Sequence, residues 1–331
     1  MVQMVYDKET HVATQAVIEA ARLCIAVRSE AIDVDTLKKG DKSPVTIADF
    51  GSQALVCKHI IAAFPNDPIV GEEDAGDLRR AENVQILNQV THYVNRFCPK
   101  ATSPHICEWI DCGNGDVSER YWTLDPIDGT KGFLRNDQYA IALALVERGK
   151  VQVGVLACPA LPLQQNTRDS AAGVLFVAVR NAGTTMTALD DGTPAPIRVD
   201  SDAQPGMLRF VESVESAHGD HALQQVIARA VGITQESLRM DSQAKYGAVA
   251  RGDAALYLRL PSKLSPDYRE KVWDHAAGTL IVEEAGGKVT DMTGQPLDFA
   301  DDRRMRNNRG VVVSNGTIHT AVIEAIANDV Q

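Results

Sequence analysis

The sequence predicts an α+β / α/β protein in two parts, with an antiparallel sheet in the N-terminal part and a mixed sheet in the C-terminal part. Three observations predict it. Amphipathic helical patterns precede the first strand, strand signals crowd together between Ala140 and Ala188, and strand and helix signals alternate after about Asp202. The join is placed near Asp200–Gly206, giving an α+β domain over 1–203 and an α/β domain over 204–331.

The elements follow in order. Val12, Ala16, Ala20, Leu23 and Val27 recur at three- and four-residue spacing and predict a helix over Thr10–Ser29. A second helix is expected over Ser52–Phe64, ended by Pro65, with the polar run Lys38–Asp49 before it. Ile69-Val70 reads as a short buried strand, followed by a helix carrying Val84, Leu87, Val90, Val94 and Phe97. Tyr121–Leu124 is a strand that runs into Asp125. Strands over Ala140–Val146, Val151–Ala157, Val174–Val179 and Thr184–Ala188 are separated by hairpin turns at Gly149-Lys150 and Asn181-Ala182-Gly183. Short strands are then expected at Leu208–Val211, Leu238–Met240, Ala255–Leu260, Val289–Asp291 and Val311–Ser314. Helices at His221–Ala230, His275–Glu284 and Thr317–Ala327 alternate with them.

Composition limits the function classes. The 331 residues are 44% hydrophobic and 23% charged, which suits a globular chain. A net charge of −11 argues against nucleic-acid partners, because phosphate backbones need a basic surface. No segment is apolar enough to span a membrane, and Met1–Lys8 has neither a signal core nor an Arg-rich transit pattern. A soluble, cytoplasmic monomer is therefore expected, although a chain trimmed of a transit peptide would read the same. Cys24, Cys57, Cys98, Cys107, Cys112 and Cys158 form no C-x-x-C pair and read as free thiols. Cys24 and Cys57 are expected in the core, and Cys98, Cys107 and Cys112 partly exposed, where a redox-responsive pair is the alternative.

Four segments carry candidate chemistry. In Asp125-Pro126-Ile127-Asp128-Gly129-Thr130, Pro126 fixes φ and Gly129 permits a tight turn, so two carboxylates converge around a bend with the Ile127 carbonyl between them. Hard oxygen donors without Cys or His suit Mg²⁺. Gly71-Glu72-Glu73-Asp74 follows a buried strand, and Trp273-Asp274-His275-Ala276-Ala277-Gly278 sets an Asp at a helix start, where an ordinary cap is the competing explanation. Thr46-Ile47-Ala48-Asp49 precedes a helix in the same way.

Taken together and in this order, these segments resemble the inositol-monophosphatase superfamily of phosphatases, from about Lys38 to the C-terminus. The resemblance implies a layered αβαβα, sugar-phosphatase-like fold and Mg²⁺-dependent hydrolysis of a phosphate ester, with two or three ions per site. Glu72, Asp125 and the Ile127 carbonyl would hold one Mg²⁺. Asp125, Asp128 and Asp274 would hold a second, while Asp49 and the Thr130 hydroxyl would orient and deprotonate the attacking water. Glu73 is either a supporting group, a ligand of a third ion, or surface charge.

The second half narrows the substrate. Asp241-Ser242-Gln243-Ala244-Lys245-Tyr246 and Tyr257-Leu258-Arg259-Leu260-Pro261 resemble the branch of the superfamily that acts on 3′(2′),5′-bisphosphate nucleotides. That resemblance implies phosphate contacts from Ser242, Lys245 and Arg259, and a further contact from His218. A net-acidic protein needs such local cations for a second phosphate that Mg²⁺ does not reach. Adenosine 3′,5′-bisphosphate and 3′-phosphoadenosine 5′-phosphosulfate are the expected substrates. An inositol phosphatase is the alternative enzyme, and a nucleotide-binding sensor the non-enzyme one.

Overall fold

Helix α1, Asp7–Asp33, buries Ala16, Ala20, Leu23 and Val27 of the face predicted for it, with Val12 half-buried and Ala13 buried beside it. The computed structural model describes residues 5–33, 43–164, 172–201, 206–215, 220–261, 265 and 267–329. Helix α2 spans Ser43–Ala63, so it begins well before the expected Ser52. Pro44 is tolerated there because the first turn of a helix has no intrahelical use for its N–H. Asp49, from the polar run expected before the helix, is turned inward with Ser52 and Gln53, and all three are buried along with Val45, Ile47 and Ala48. A helix buried all round loses the polar face that marks its start.

Strand β1, Ile69–Gly71, precedes α3, Val84–Val94, and α4, Ser103–Asp111. The sequence reading missed α4, which starts with Pro near its N-terminus and a reciprocal Thr102–His105 cap. Strand β2, Arg120–Asp128, does not stop at Leu124 but continues through the Asp-Pro-Ile-Asp segment. A register shift between Asp125 and Asp128 replaces the expected bend at a strand end. After α5, Thr130–Leu134, come β3 Ala140–Glu147, β4 Lys150–Pro162, β5 Ala172–Val179, β6 Gly183–Ala188 and β7 Ala195–Pro196. Among the described residues these build a seven-stranded sheet in sequence order, antiparallel apart from the parallel β1–β2 pair.

The remainder is β8 Phe210–Glu212, α6 His221–Ala230, β9 Leu238–Arg239, α7 Ala244–Ala250, β10 Leu256–Arg259, α8 Ala276–Glu284, β11 Lys288–Thr290, β12 Val311–Ser314 and α9 His319–Asp329. Helix α7 was not foreseen. The second sheet runs β11-β12-β10-β8-β9, with parallel pairs at β10–β8 and β8–β9 and antiparallel pairs at β12, so it is mixed as expected.

Helices α1 and α2 cover one face of the first sheet, α7 and α8 lie between the two sheets, and α6 and α9 cover the far face of the second. The order is the αβαβα layering. Period-two alternation in β3 makes it possible: Ile141, Leu143 and Leu145 enter the core under α1 and α2, while Ala140, Ala142 and Ala144 face α8. Small side chains on that side admit close approach of α8, and a Cβ at Gly154 would fall 2.9 Å from the Ala277 carbonyl oxygen. The middle core draws Val155's neighbour Leu156 and Phe176 from the first sheet and Tyr257 and Val313 from the second. Cys24 and Cys57 are buried as expected, Cys158 is buried as well, and Cys107 is buried rather than partly exposed, because it lies on the inner face of α4. No helix among the described residues is long and apolar enough to cross a membrane.

Candidate active site

The acidic segments meet where the parallel strands β1 and β2 end together. Pairing of Gly71 with Leu124 sets Glu72 and Glu73 beside Asp125 and Asp128. Helix α2 brings Asp49 to them from below, and the turn before α8 brings Asp274 from the opposite sheet. Proximity registers in their proton affinities. Burial, then the charges of Glu72, Asp128, Asp274 and Asp49, hold the Asp125 carboxyl well above the usual range. Part of the Glu72 residue surface is exposed, but protein surrounds most of its carboxyl, and that desolvation, then Asp274, Glu73 and Asp128, pushes it up to about 8. Asp274 is raised to about 6, chiefly by burial, with Arg259 and His275 pulling the other way. Asp49 is raised well above its ordinary value by burial and by Glu73 and Glu72.

Such a cluster is electrostatically unfavourable by itself and fits a hard divalent cation. Asp125 Oδ1 is buried with no hydrogen-bond partner, a costly state for a carboxylate oxygen that a cation would relieve. The register shift leaves Pro126 and Ile127 outside the β2–β3 ladder, and the Pro126 carbonyl accepts a hydrogen bond from Ser52 Oγ at 2.9 Å. Gly129, at φ +87°, turns the chain from β2 into α5 and presents Thr130, which is exposed at the cleft. Its hydroxyl makes no hydrogen bond to Asp49 among the described residues. Asp274 stands one residue before the helix cap position, and no side chain caps α8 there, so the ordinary-cap explanation does not hold for it.

A cleft of about 130 Å³ is lined by Asp128, Thr130 and Asp274 together with Ser242, Lys245, Tyr257 and Arg259. The acidic residues and the two cations are therefore brought together. His218 lies outside the described residues. Lys245 is buried on α7 rather than solvated; its Nζ sits 5.0 Å from the centre of the Tyr257 ring, and burial lowers its ammonium to about 8. Among the described residues it has no ion pair. Ser242, at φ +67°, uses its hydroxyl to accept from the Ala244 N–H at 3.2 Å, starting α7.

Arg259 differs. Its Nε is 2.8 Å from Glu270 Oε2, Glu270 is 3.2 Å from His275 Nε2, and His275 Nδ1 is 2.6 Å from the Tyr246 hydroxyl. Burial would raise Glu270, but Arg259 overrides it and holds the carboxyl at about 2. Glu270, Asp274 and His275 could bring ligand atoms within 4.8 Å of one another. Glu270 and His275 are already engaged by Arg259 and Tyr246, and a cation there would face the guanidinium, so this trio reads as an ion network. Sequence reasoning missed Glu270, Gln53 and Gln243. Only the last two left a trace: Gln53 is one helical turn from Asp49, and Gln243 sits between two candidate contacts.

Comparison with known proteins gives the family and the fold. The model of the inositol monophosphatase family matches residues 5–331. A 3′(2′),5′-bisphosphate nucleotidase of Schizosaccharomyces pombe is 45% identical, covering 98% of this chain and 96% of its own length. A 3′(2′),5′-bisphosphate nucleotidase of Arabidopsis thaliana is 43% identical over 99% and 98% of the two chains. Among solved structures, an inositol monophosphatase from Thermotoga maritima superposes with a TM-score of 0.63 at 19% identity, covering 98% of each chain. CysQ from Bacteroides thetaiotaomicron gives 0.57 at 20% identity, covering 94% of this chain and 98% of its own.

Proposed function

This chain belongs to the inositol monophosphatase family, and from that premise we propose that it is a 3′(2′),5′-bisphosphate nucleotidase. It is a phosphoric monoester hydrolase: adenosine 3′,5′-bisphosphate and water give AMP and phosphate, and 3′-phosphoadenosine 5′-phosphosulfate loses its 3′-phosphate in the same way. The observation that carries the reading is one cleft lined both by Asp128 and Asp274 of the carboxylate cluster and by the buried ammonium of Lys245, which has no ion pair among the described residues. That arrangement suits a substrate with two phosphates.

Mg²⁺, on which the family depends, supplies charge to the phosphate oxygens and acidifies water when bound. We assign Glu72, Asp125 and the Ile127 carbonyl to one ion and Asp125, Asp128 and Asp274 to a second. Asp49, with its raised proton affinity, is placed to accept the proton of the attacking water, and the Thr130 hydroxyl to orient that water. Lys245 holds the 5′-phosphate, with Arg259, Ser242 and His218 adding hydrogen bonds. On the division at 203/204, most metal ligands lie in the first part, and Asp274 with the substrate contacts in the second.

The test is phosphate release from adenosine 3′,5′-bisphosphate, inositol 1-phosphate and fructose 1,6-bisphosphate, with EDTA and with Mg²⁺ restored. Turnover of the nucleotide that EDTA abolishes is expected. A preference for an inositol phosphate would overturn the substrate, and release unaffected by EDTA would overturn the metal.

A further inference from the structure

Gln53 and Gln243 are neutral amides buried to the last per cent, and each ties together segments that carry the site carboxylates. Gln53 lies on the same face of α2 as Asp49, one turn on. Its Nε2 donates to the Glu73 carbonyl at 2.6 Å and to the Ile110 carbonyl at 2.9 Å, while its Oε1 accepts from the Glu73 N–H at 3.0 Å. Both polar groups of the Glu73 backbone are thus held by one side chain. Room for it is built in: a Cβ on Gly71 would fall 2.7 Å from Gln53 Oε1, and one on Gly113 2.4 Å from Nε2.

Gln243 does the same across the cleft. Its backbone N–H donates to Asp128 Oδ2 at 2.6 Å. Its side-chain Nε2 donates to the Trp273 carbonyl at 3.0 Å, and its Oε1 accepts from the Gly278 N–H at 3.2 Å. The turn that carries Asp274 is gripped on both sides, and the same residue reaches the carboxylate of Asp128. Carboxylates this close repel one another without a cation, so their carrier segments need an uncharged restraint. A primary amide provides one, since it bonds backbone donors and acceptors together and adds no charge.

We propose that Gln53 and Gln243 are positioning residues that preorganise the divalent-cation site, Gln53 by fixing the Glu72–Glu73 segment on α2 and Gln243 by fixing Asp274 against Asp128. The inference rests on the Mg²⁺ reading above. Its consequence is that either glutamine can be lost with every ligand intact and the site still binds cations poorly.

The test is Mn²⁺ binding to the metal-stripped full-length chain without substrate, followed by the EPR signal of free Mn²⁺. Gln53→Met and Gln243→Met should each weaken binding by about tenfold or more, the range typical of groups that orient ligands. Thr184→Val is the control, because it deletes a buried 2.8 Å bond from Thr184 Oγ1 to the Ile281 carbonyl of α8, away from the site. It should lower the melting temperature comparably and leave Mn²⁺ affinity unchanged. Gln53→Asn and Gln243→Asn, one methylene short, replace any Met variant that does not fold. Folded glutamine variants that bind Mn²⁺ like the parent overturn the proposal, as does an equal loss in Thr184→Val. A parent chain that binds no Mn²⁺ overturns the metal reading instead.

Discussion

Arg259 and Glu270 form a buried ion pair, Nε to Oε2 at 2.8 Å, and that pairing separates Arg259 from its neighbour in the cleft, Lys245. One cation is neutralised before any substrate arrives. The other is not, and its charge is available to an incoming phosphate.

Lys245→Met should therefore lower kcat/KM for adenosine 3′,5′-bisphosphate far more than for 3′-AMP, which lacks the second phosphate. A charge-assisted contact contributes about 1.5–3 kcal/mol, so the selective loss is roughly ten- to a hundredfold. Arg259→Ala also strands Glu270 as an uncompensated buried charge and should reduce both substrates and the melting temperature. Comparison of the two nucleotides on both variants decides it. Equal losses on both nucleotides for Lys245→Met would remove it from the 5′-phosphate site.

The same lysine carries a stability cost. With its ammonium lowered from 10.5 to about 8, folding penalises the charged form. The penalty is fully present below pH 8 and fades as pH rises toward 10.5, where the unfolded chain also loses its proton. It amounts to about 3 kcal/mol, so Lys245→Met should melt several degrees above the parent at pH 7 in EDTA. By pH 10.5 the difference should be gone. Thermal scans at the two pH values check both halves.

The carboxylate cluster predicts the pH dependence of the metal-free protein. Glu72 is raised from 4.5 to about 8 and Asp274 from 3.8 to about 6, so the folded state binds more protons than the unfolded one between these limits. Stability should fall as pH rises from about 4.5 to 8 in EDTA, and Mg²⁺ should reverse the fall. Asp125→Asn removes the most buried of the charges. It should nearly abolish activity and yet melt higher than the parent in EDTA at pH 8; an Asp125→Asn enzyme of normal turnover would refute the metal assignment.

Thr130→Ala should lower kcat with little change in KM, since water orientation matters most in the transition state. The exposed hydroxyl makes no structural bond to Asp49, so the melting temperature should stay within about a degree, as for other surface changes. A raised KM at unchanged kcat would make Thr130 a binding residue.

Two kinds of information were written in the order of residues along this chain. The hairpin strands from Ala140 to Ala188 are legible because alternation and turn residues are properties of neighbours in sequence. Asp125-Pro126-Ile127-Asp128, Glu72 and Asp274 each read alone as an ordinary turn, solvated charge or helix cap, and only their joint order along the chain carries the resemblance that marks them as candidate ligands. The start of α2 was not legible, because the polar residues that break its pattern are buried and face the carboxylates. Gln53 and Gln243 carry no charge and belong to no local pattern; their role exists only where they meet Glu73, Trp273 and Gly278. Lys245 and Arg259 look alike as isolated cations in the sequence. Tertiary structure alone decided that Glu270 pairs with one of them, because Arg259 ends a strand beside the turn that carries Glu270, whereas Lys245 lies on α7 between the sheets.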